Sequence, residues 1–360
     1  MFLDSVRKRT LISCIALCAL LALAPAAHAR GTKAIWGPAK NANNQPNPGA
    51  SLFPVYDQLG VDVYEFQIPW DKVAPTRPAD PRNPSDPAYN WGTLYDFIVA
   101  ESATYGIAPA AQVHGSPTWA NGGRDPIWAP HNPQDLADFM YAASKRYPSI
   151  KRWMVWGEPG KGDSFQPQGA KRGPRTYAKL LAAAYPALKQ AQAGNIVIGG
   201  MTHNGGDVKP PIFIRNMKLK NGKRPKMDLW GHNPFDPRAI KLKDRPVGKF
   251  RGINDVDTLW DEIKAAYGRQ RKGRPKGLFL SEFTVQSDHD SGVFAFHVSR
   301  EEQAKRLTDA FKLARKLKYV NTLGWFSLYD YPDSADNPAW GLITYEGQVK
   351  PAFAAYAAVP

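Results

Sequence analysis

The sequence predicts a single α/β domain, a (β/α)8 TIM barrel, on three observations. Strand-like and helix-like segments alternate eight times across residues 34–358. No linker, short repeat or low-complexity tract interrupts the series. The candidate polar residues fall at or just past the C-terminal ends of the strands, the end where such barrels keep their active sites.

Residues 34–37 (AIWG) make a short first strand, with a helix over 51–59. The run 61–68 (VDVYEFQI) is rich in β-branched and aromatic residues and makes strand two. A proline-studded loop leads to a helix starting near Asn90 and marked by Leu94, Phe97 and Ile98. Strand three is 107–114 (IAPAAQVH), followed by a helix over 133–146. The hydrophobic run at 153–156 (WMVW) is read as strand four, ending at Glu158. Tyr177, Leu180, Leu181, Ala184 and Leu188 have helical spacing, with Pro186 expected to kink that helix. Strands five (195–199) and six (227–232) flank a short helix over 212–217. Val256, Leu259, Trp260, Ile263 and Tyr267 stripe the next helix, and strand seven (GLFLSE) ends at Glu282. Ala304, Leu307, Phe311 and Ala314 stripe another, 322–328 is strand eight, and 351–358 is a closing helix.

Residues 1–29 read as a signal peptide, leaving 30–360 as the barrel domain. Arg7, Lys8 and Arg9 precede an apolar run over 11–24, and Ala27-His28-Ala29 supplies a small-residue cleavage site. The apolar run is short for a membrane span, so cleavage after Ala29 and secretion are expected. Both cysteines, Cys14 and Cys18, leave with this segment, and the mature chain has neither a disulfide nor a thiolate metal site.

The remaining chain carries 44 basic and 31 acidic residues, net +13 with His neutral. The excess clusters in tracts 215–226, 238–251 and 269–276. No recognition motif accompanies the charge, which sets nucleic acid aside as a partner. The plain reading is a solvated basic surface, and the functional one is contact with an anionic glycan.

Two glutamates carry the chemistry. Glu158 and Glu282 each stand where a hydrophobic strand stops, and two carboxyls flanking a scissile bond are the equipment for cleaving a glycosidic linkage. The candidate substrate-binding set is Trp36, Gln67, His114, Trp156, Asn204, His232, Asn233 and Trp325, with Asp330 also at a strand end. Pyranose rings stack their CH-rich faces on aromatic rings, while their hydroxyls need polar partners. Trp156 and Trp325 are therefore expected to wall the sugar, and His232 to orient Glu282. The histidines show no metal-binding spacing, and there is no phosphate-cradling or dinucleotide motif. No cofactor and no metal are expected.

These marks together resemble clan-A glycoside hydrolases. The nearest patterns are family 39 (β-xylosidase and exopolysaccharide-glycosidase types) and cellulase-type family 5. The resemblance rests on HGSPTWA at 114–120, WGEP at 156–159, LSEF at 280–283, LGWF at 323–326 and WGL at 340–342. It implies retaining hydrolysis of a carbohydrate substrate by a monomer, with Glu158 as acid/base and Glu282 as nucleophile. Those roles need Glu158 protonated and Glu282 charged.

Three departures separate the chain from that pattern. Gly157 stands where most relatives have an Asn that contacts the sugar 2-hydroxyl, leaving Asn204 and Asn233 as open substitutes. Gln67 lies in the region where many relatives have an arginine, and 232–235 (HNPF) lacks a tyrosine two residues beyond the His. A catalytically inactive carbohydrate-binding barrel and a transglycosylase acting on an extracellular glycan are the alternative functions.

Overall fold

The computed structural model describes residues 31–241, 246–268, 270, 272–332 and 336–359. The signal-peptide reading lies outside the described residues, as do Lys243, Arg245, Arg269 and Arg271 of the basic tracts.

Eight parallel strands close into a barrel in sequence order. They are β1 (Thr32–Trp36), β2 (Val63–Pro69), β3 (Ala108–His114), β4 (Arg152–Val155), β5 (Ile196–His203), β6 (Leu229–Asn233), β7 (Leu278–Phe283) and β8 (Val320–Phe326). Between and after them lie α1 (Phe53–Gln58), α2 (Trp70–Val73), α3 (Leu94–Thr104), α4 (Thr118–Asn121), α5 (Pro133–Arg146), α6 (Arg172–Ala191), α7 (Pro210–Asn216), α8 (Val256–Tyr267), α9 (Arg300–Lys316) and α10 (Pro351–Ala358). α6 is assigned as one helix through Pro186, and it packs closely on α5. Among the described residues no helix is long and apolar enough to cross a membrane.

Strand alternation divides the apolar residues between two cores. Ala34, Trp36, Val63, Ala110, Met154, Ile198, Met201, Leu229 and Phe279 fill the barrel interior. Their strand neighbours, such as Trp153, Val155, Leu280 and Trp325, pack into the larger cluster outside it. The interior is thus a filled core rather than a pore.

Three strands carry one residue more than a partner, β8 among them between Val320 and Thr322, against the single step Leu278 to Phe279 on β7. β5 takes three steps from Gly199 to Thr202 against two on β6, and β7 takes three from Leu280 to Phe283 against two on β8. Such bulges re-aim side chains beside functional sites.

The basic tracts are not simply solvated charge. Arg238 pairs with Asp236 and Asp255, Arg251 pairs with Glu262, and Arg224 donates to the carbonyls of Met217 and Arg215. These three arginines hold loops in place.

Candidate active site

β4 stops at Val155, so Glu158 does not end the strand; it stands three residues beyond, in a tight loop. The chain turns there by placing two non-glycine residues in the left-handed region, Trp156 at φ 66° and Glu158 at φ 43°. Each costs of order 1–3 kcal/mol, and such conformations cluster at functional sites. The Trp156 indole is buried, donates to the Ser164 carbonyl at 2.9 Å and packs edge-on against Phe165. It anchors the loop and does not wall a sugar, contrary to the sequence expectation.

Glu158 is gripped from two sides. The Asn233 amide donates to its Oε1 at 2.8 Å, and the Lys161 ammonium lies 3.0 Å from its Oε2. Burial works against the charge on Lys161, but the carboxylates of Glu158, Asp163 and Glu282 together offset it and the lysine's pKa is raised.

Glu282 reaches the same place from the bulge of β7. Phe279 and Ser281 point into the barrel by alternation, and the extra residue lets Glu282 face the cavity too. Burial, followed by the charge of Glu158, pushes its carboxyl up to about 8; a hydrogen bond from Asn233 and the charge of Lys161 oppose the rise. Asn233 is itself fully buried and serves both carboxyls.

A third carboxyl, missed in the sequence, sits inside the barrel. Glu65 on β2 is fully buried, accepts a 2.6 Å hydrogen bond from Ser281 Oγ, and leaves its other oxygen without a partner among the described residues. Burial raises its pKa well above the ordinary range, against the Ser281 hydrogen bond. Trp36 Nε1 donates to the same Ser281 hydroxyl at 3.1 Å. The signal was present: 63, 65 and 67 share one face of a period-two strand.

Glu282, Glu65, Gln67 and Trp36 line a cavity of about 380 Å³ with Phe326 and Tyr331. The aromatic residues lining it are Trp36, Tyr64, Phe66, Phe326 and Tyr331, with Trp340 packed behind Phe326 and Tyr331. Trp325 is fully buried against Phe283 on the outside of the barrel, which corrects the expectation that it walls the site. By the same alternation Gly324 faces the lumen, where a Cβ would lie 2.1 Å from the Ser281 carbonyl oxygen and 2.4 Å from Glu65 Oε1.

The other candidates divide. His232 cannot orient Glu282 through either ring nitrogen: Nδ1 meets Thr202 Oγ1 at 2.8 Å and Nε2 meets the Arg251 carbonyl at 2.7 Å. Burial holds its pKa down at about 4. Asn204 spends its amide N–H on the Phe235 carbonyl, tying the loops after β5 and β6. Asp330 is consumed by the buried Lys350, 2.7 Å away, and by the Gly341 N–H. His114, at the end of β3, has a buried Nε2 with no partner among the described residues, and burial lowers its pKa. Among the described residues, no cluster of three or more His, Cys, Asp or Glu is placed to hold a metal.

The departure at Gly157 has a physical cause. A Cβ on Gly157 would lie 2.7 Å from Gln112 Oε1. Gln112, on β3, fills the space a side chain at 157 would need, and Gln67 Nε2 donates to it at 3.2 Å. The glutamine was not singled out from sequence because it lies inside a strand rather than at its end.

A closed eight-stranded parallel barrel, with its glutamates beyond β4 and at the end of β7, is the (β/α)8 fold that the resemblance implied. Solved structures share that fold. A family 39 glycoside hydrolase from the gut symbiont Bacteroides cellulosilyticus WH2 matches at TM-score 0.67 and 17% identity, over 92% of this chain and 63% of that one. A glucosidase from Croceicoccus marinus matches at TM-score 0.64 and 16% identity, over 92% and 67%. A monomeric β-xylosidase from Caulobacter crescentus CB15 matches at TM-score 0.57 and 19% identity, over 85% and 63%. The chain thus spans under two thirds of the length of the first of these, and at such identities the likeness is one of fold. No protein-family model matches the sequence, and no curated protein does.

Proposed function

We propose that the chain is a secreted retaining glycoside hydrolase that cleaves O-glycosidic bonds of an oligo- or polysaccharide by double displacement. One observation carries the reading: a single buried amide, Asn233, serves both Glu158 and Glu282 beside an aromatic-lined cavity. In the first step the Glu282 carboxylate attacks the anomeric carbon, the bond to the leaving oxygen breaks, and Glu158 gives that oxygen its proton. In the second, Glu158 takes a proton from water, whose oxygen displaces Glu282 from the sugar.

The pair is active with one proton shared between its members. In the resting protein burial draws that proton toward Glu282, while Lys161 sits against Glu158. Positive charge developing on the sugar ring stabilises the Glu282 carboxylate, which favours transfer of the proton to Glu158 as the transition state forms.

Azide tests the assignment. On an activated aryl glycoside, azide accelerates Glu158→Ala and gives a glycosyl azide of retained configuration; with Glu282→Ala the azide product is inverted. A wild type inactive across a panel of aryl glycosides and polysaccharides, yet able to bind sugar, would overturn hydrolysis in favour of a binding barrel.

A further inference from the structure

We infer that a second concavity, between the loop after β3 and the start of α6, is an accessory subsite for the anionic group of an acidic polysaccharide, either a uronate carboxylate or a sulfate ester. The inference rests on the hydrolase reading above and names the substrate class that reading leaves open.

The pocket has a volume of about 330 Å³, and its polar lining is Asn121, Arg124, His131, Arg172, Thr176 and Lys179. No acidic residue lines it. Buried Asn121 fixes the turn by donating to the carbonyls of Arg124 and Asp125 and accepting the Arg124 N–H. The Arg124 guanidinium lies over the Trp128 ring, 4.3 Å from its centroid, which holds it in place. Arg172, Thr176 and Lys179 follow at one-turn spacing along α6 and share a face.

Among the described residues, these cations are not spent on carboxylates. Arg82, Arg146, Arg238, Arg251, Arg300 and Arg306 all pair with carboxylates. Arg124, Arg172 and Lys179 have no carboxylate partner among the described residues, and the nearby Asp125 turns its carboxylate to the Ile127 N–H. Three like charges around one concavity repel each other, and a bound anion relieves that repulsion.

The placement argues for a glycan. Pro167 in the pocket wall belongs to the loop that carries Glu158 and Lys161. That loop is clipped to the one after β3 by two backbone hydrogen bonds of 2.8 Å, Ala129 to Gln166 and Gln166 to Ile127. The pocket therefore stands at the catalytic end of the barrel. Its volume is near the lower end of the ~300–1,000 Å³ range for small-ligand sites, a size suited to a sugar unit rather than to a flat polymer surface.

The test is binding, which needs no turnover. Wild type and Glu282→Gln are titrated calorimetrically with oligogalacturonate, a sulfated oligosaccharide and a neutral xylo-oligosaccharide, at low and raised ionic strength. The same titrations are run on Arg124→Gln/Arg172→Gln/Lys179→Gln, which keeps side-chain bulk. We expect the triple variant to bind one acidic oligomer about tenfold more weakly, with neutral-ligand affinity and melting temperature unchanged. Preference between carboxylate and sulfate arms identifies the anion. Equal acidic binding in wild type and triple variant overturns the subsite. So does absence of acidic binding by an enzyme active on neutral aryl glycosides, which leaves the hydrolase reading standing. Equal competition by a short single-stranded oligonucleotide overturns the glycan assignment.

Discussion

Lys161 Nζ lies 3.0 Å from Glu158 Oε2, three residues along the same loop, and its charge also acts on Glu282. One ammonium therefore holds the Glu158 carboxylate and also opposes the rise that burial imposes on Glu282. The one-proton form is the active one, so activity should fall as pH rises through the pair's upper step, which burial of Glu282 places at about 8. Removing that positive charge makes the Glu282 proton harder to lose. In Lys161→Met the bell of kcat/KM should move to higher pH, and a profile superimposable on wild type would show that Lys161 does not tune the pair.

Gly157 and Gln112 should be coupled in stability. Gly157→Asn drives its Cβ toward Gln112 Oε1 and displaces the contact with Gln67, at a cost of about 1–3 kcal/mol. Adding Gln112→Ala makes room, so the double variant should be more stable than the sum of the singles implies. Urea melts of the four proteins measure this, and strict additivity would contradict the packing account.

Glu65→Gln should change the pH dependence of stability. The native pKa of Glu65 is raised by burial, so its favourable contribution is complete below the unfolded value near 4.5 and is lost as pH rises toward the native value. Gln cannot ionise. The melting temperature of Glu65→Gln relative to wild type should therefore climb as pH increases above 4.5. A constant difference across that range would mean the buried carboxyl does not titrate as its surroundings require.

Two tryptophans should separate binding from folding. Trp36 lines the cavity, and Trp36→Leu should raise KM for aryl glycosides about tenfold, near 1.4 kcal/mol, with stability loss as the lesser effect. Trp325 is buried outside the barrel, and Trp325→Ala should cost about 3–5 kcal/mol of stability while KM of the folded fraction stays unchanged. The opposite pattern would restore Trp325 to the sugar wall.

The barrel was legible because each strand is an apolar run and each helix a stripe, and those periods survive in one sequence. Helix bounds at 133–146 and 351–358 match the structure residue for residue. The site was less legible, for reasons that are geometric. The tryptophans were read by their strand, but which face a strand residue takes depends on parity: on β8 that turns Phe326 inward and Trp325 out. His232 looked free until Thr202 and Arg251, distant in sequence, claimed both nitrogens. Glu65 and Gln112 lay in plain view, but a polar residue inside a strand declares its role only when the lumen is known. Lys161 gave a spacing, three residues from Glu158, that is unremarkable until the loop folds back on itself.

The extra residue in β7 bears on how this scaffold can be rebuilt. Between Leu280 and Phe283 the strand advances three residues while its neighbour advances two, so Ser281 and Glu282 are both delivered to the lumen side. A chimera that swaps in a regular strand restores strict alternation through Ser281 and Glu282, which sends one of the two into the helix layer. Shortening the strand by one residue has the same outcome. Grafting this carboxylate onto another barrel therefore requires transplanting the irregular strand together with its β8 partner, not the glutamate alone.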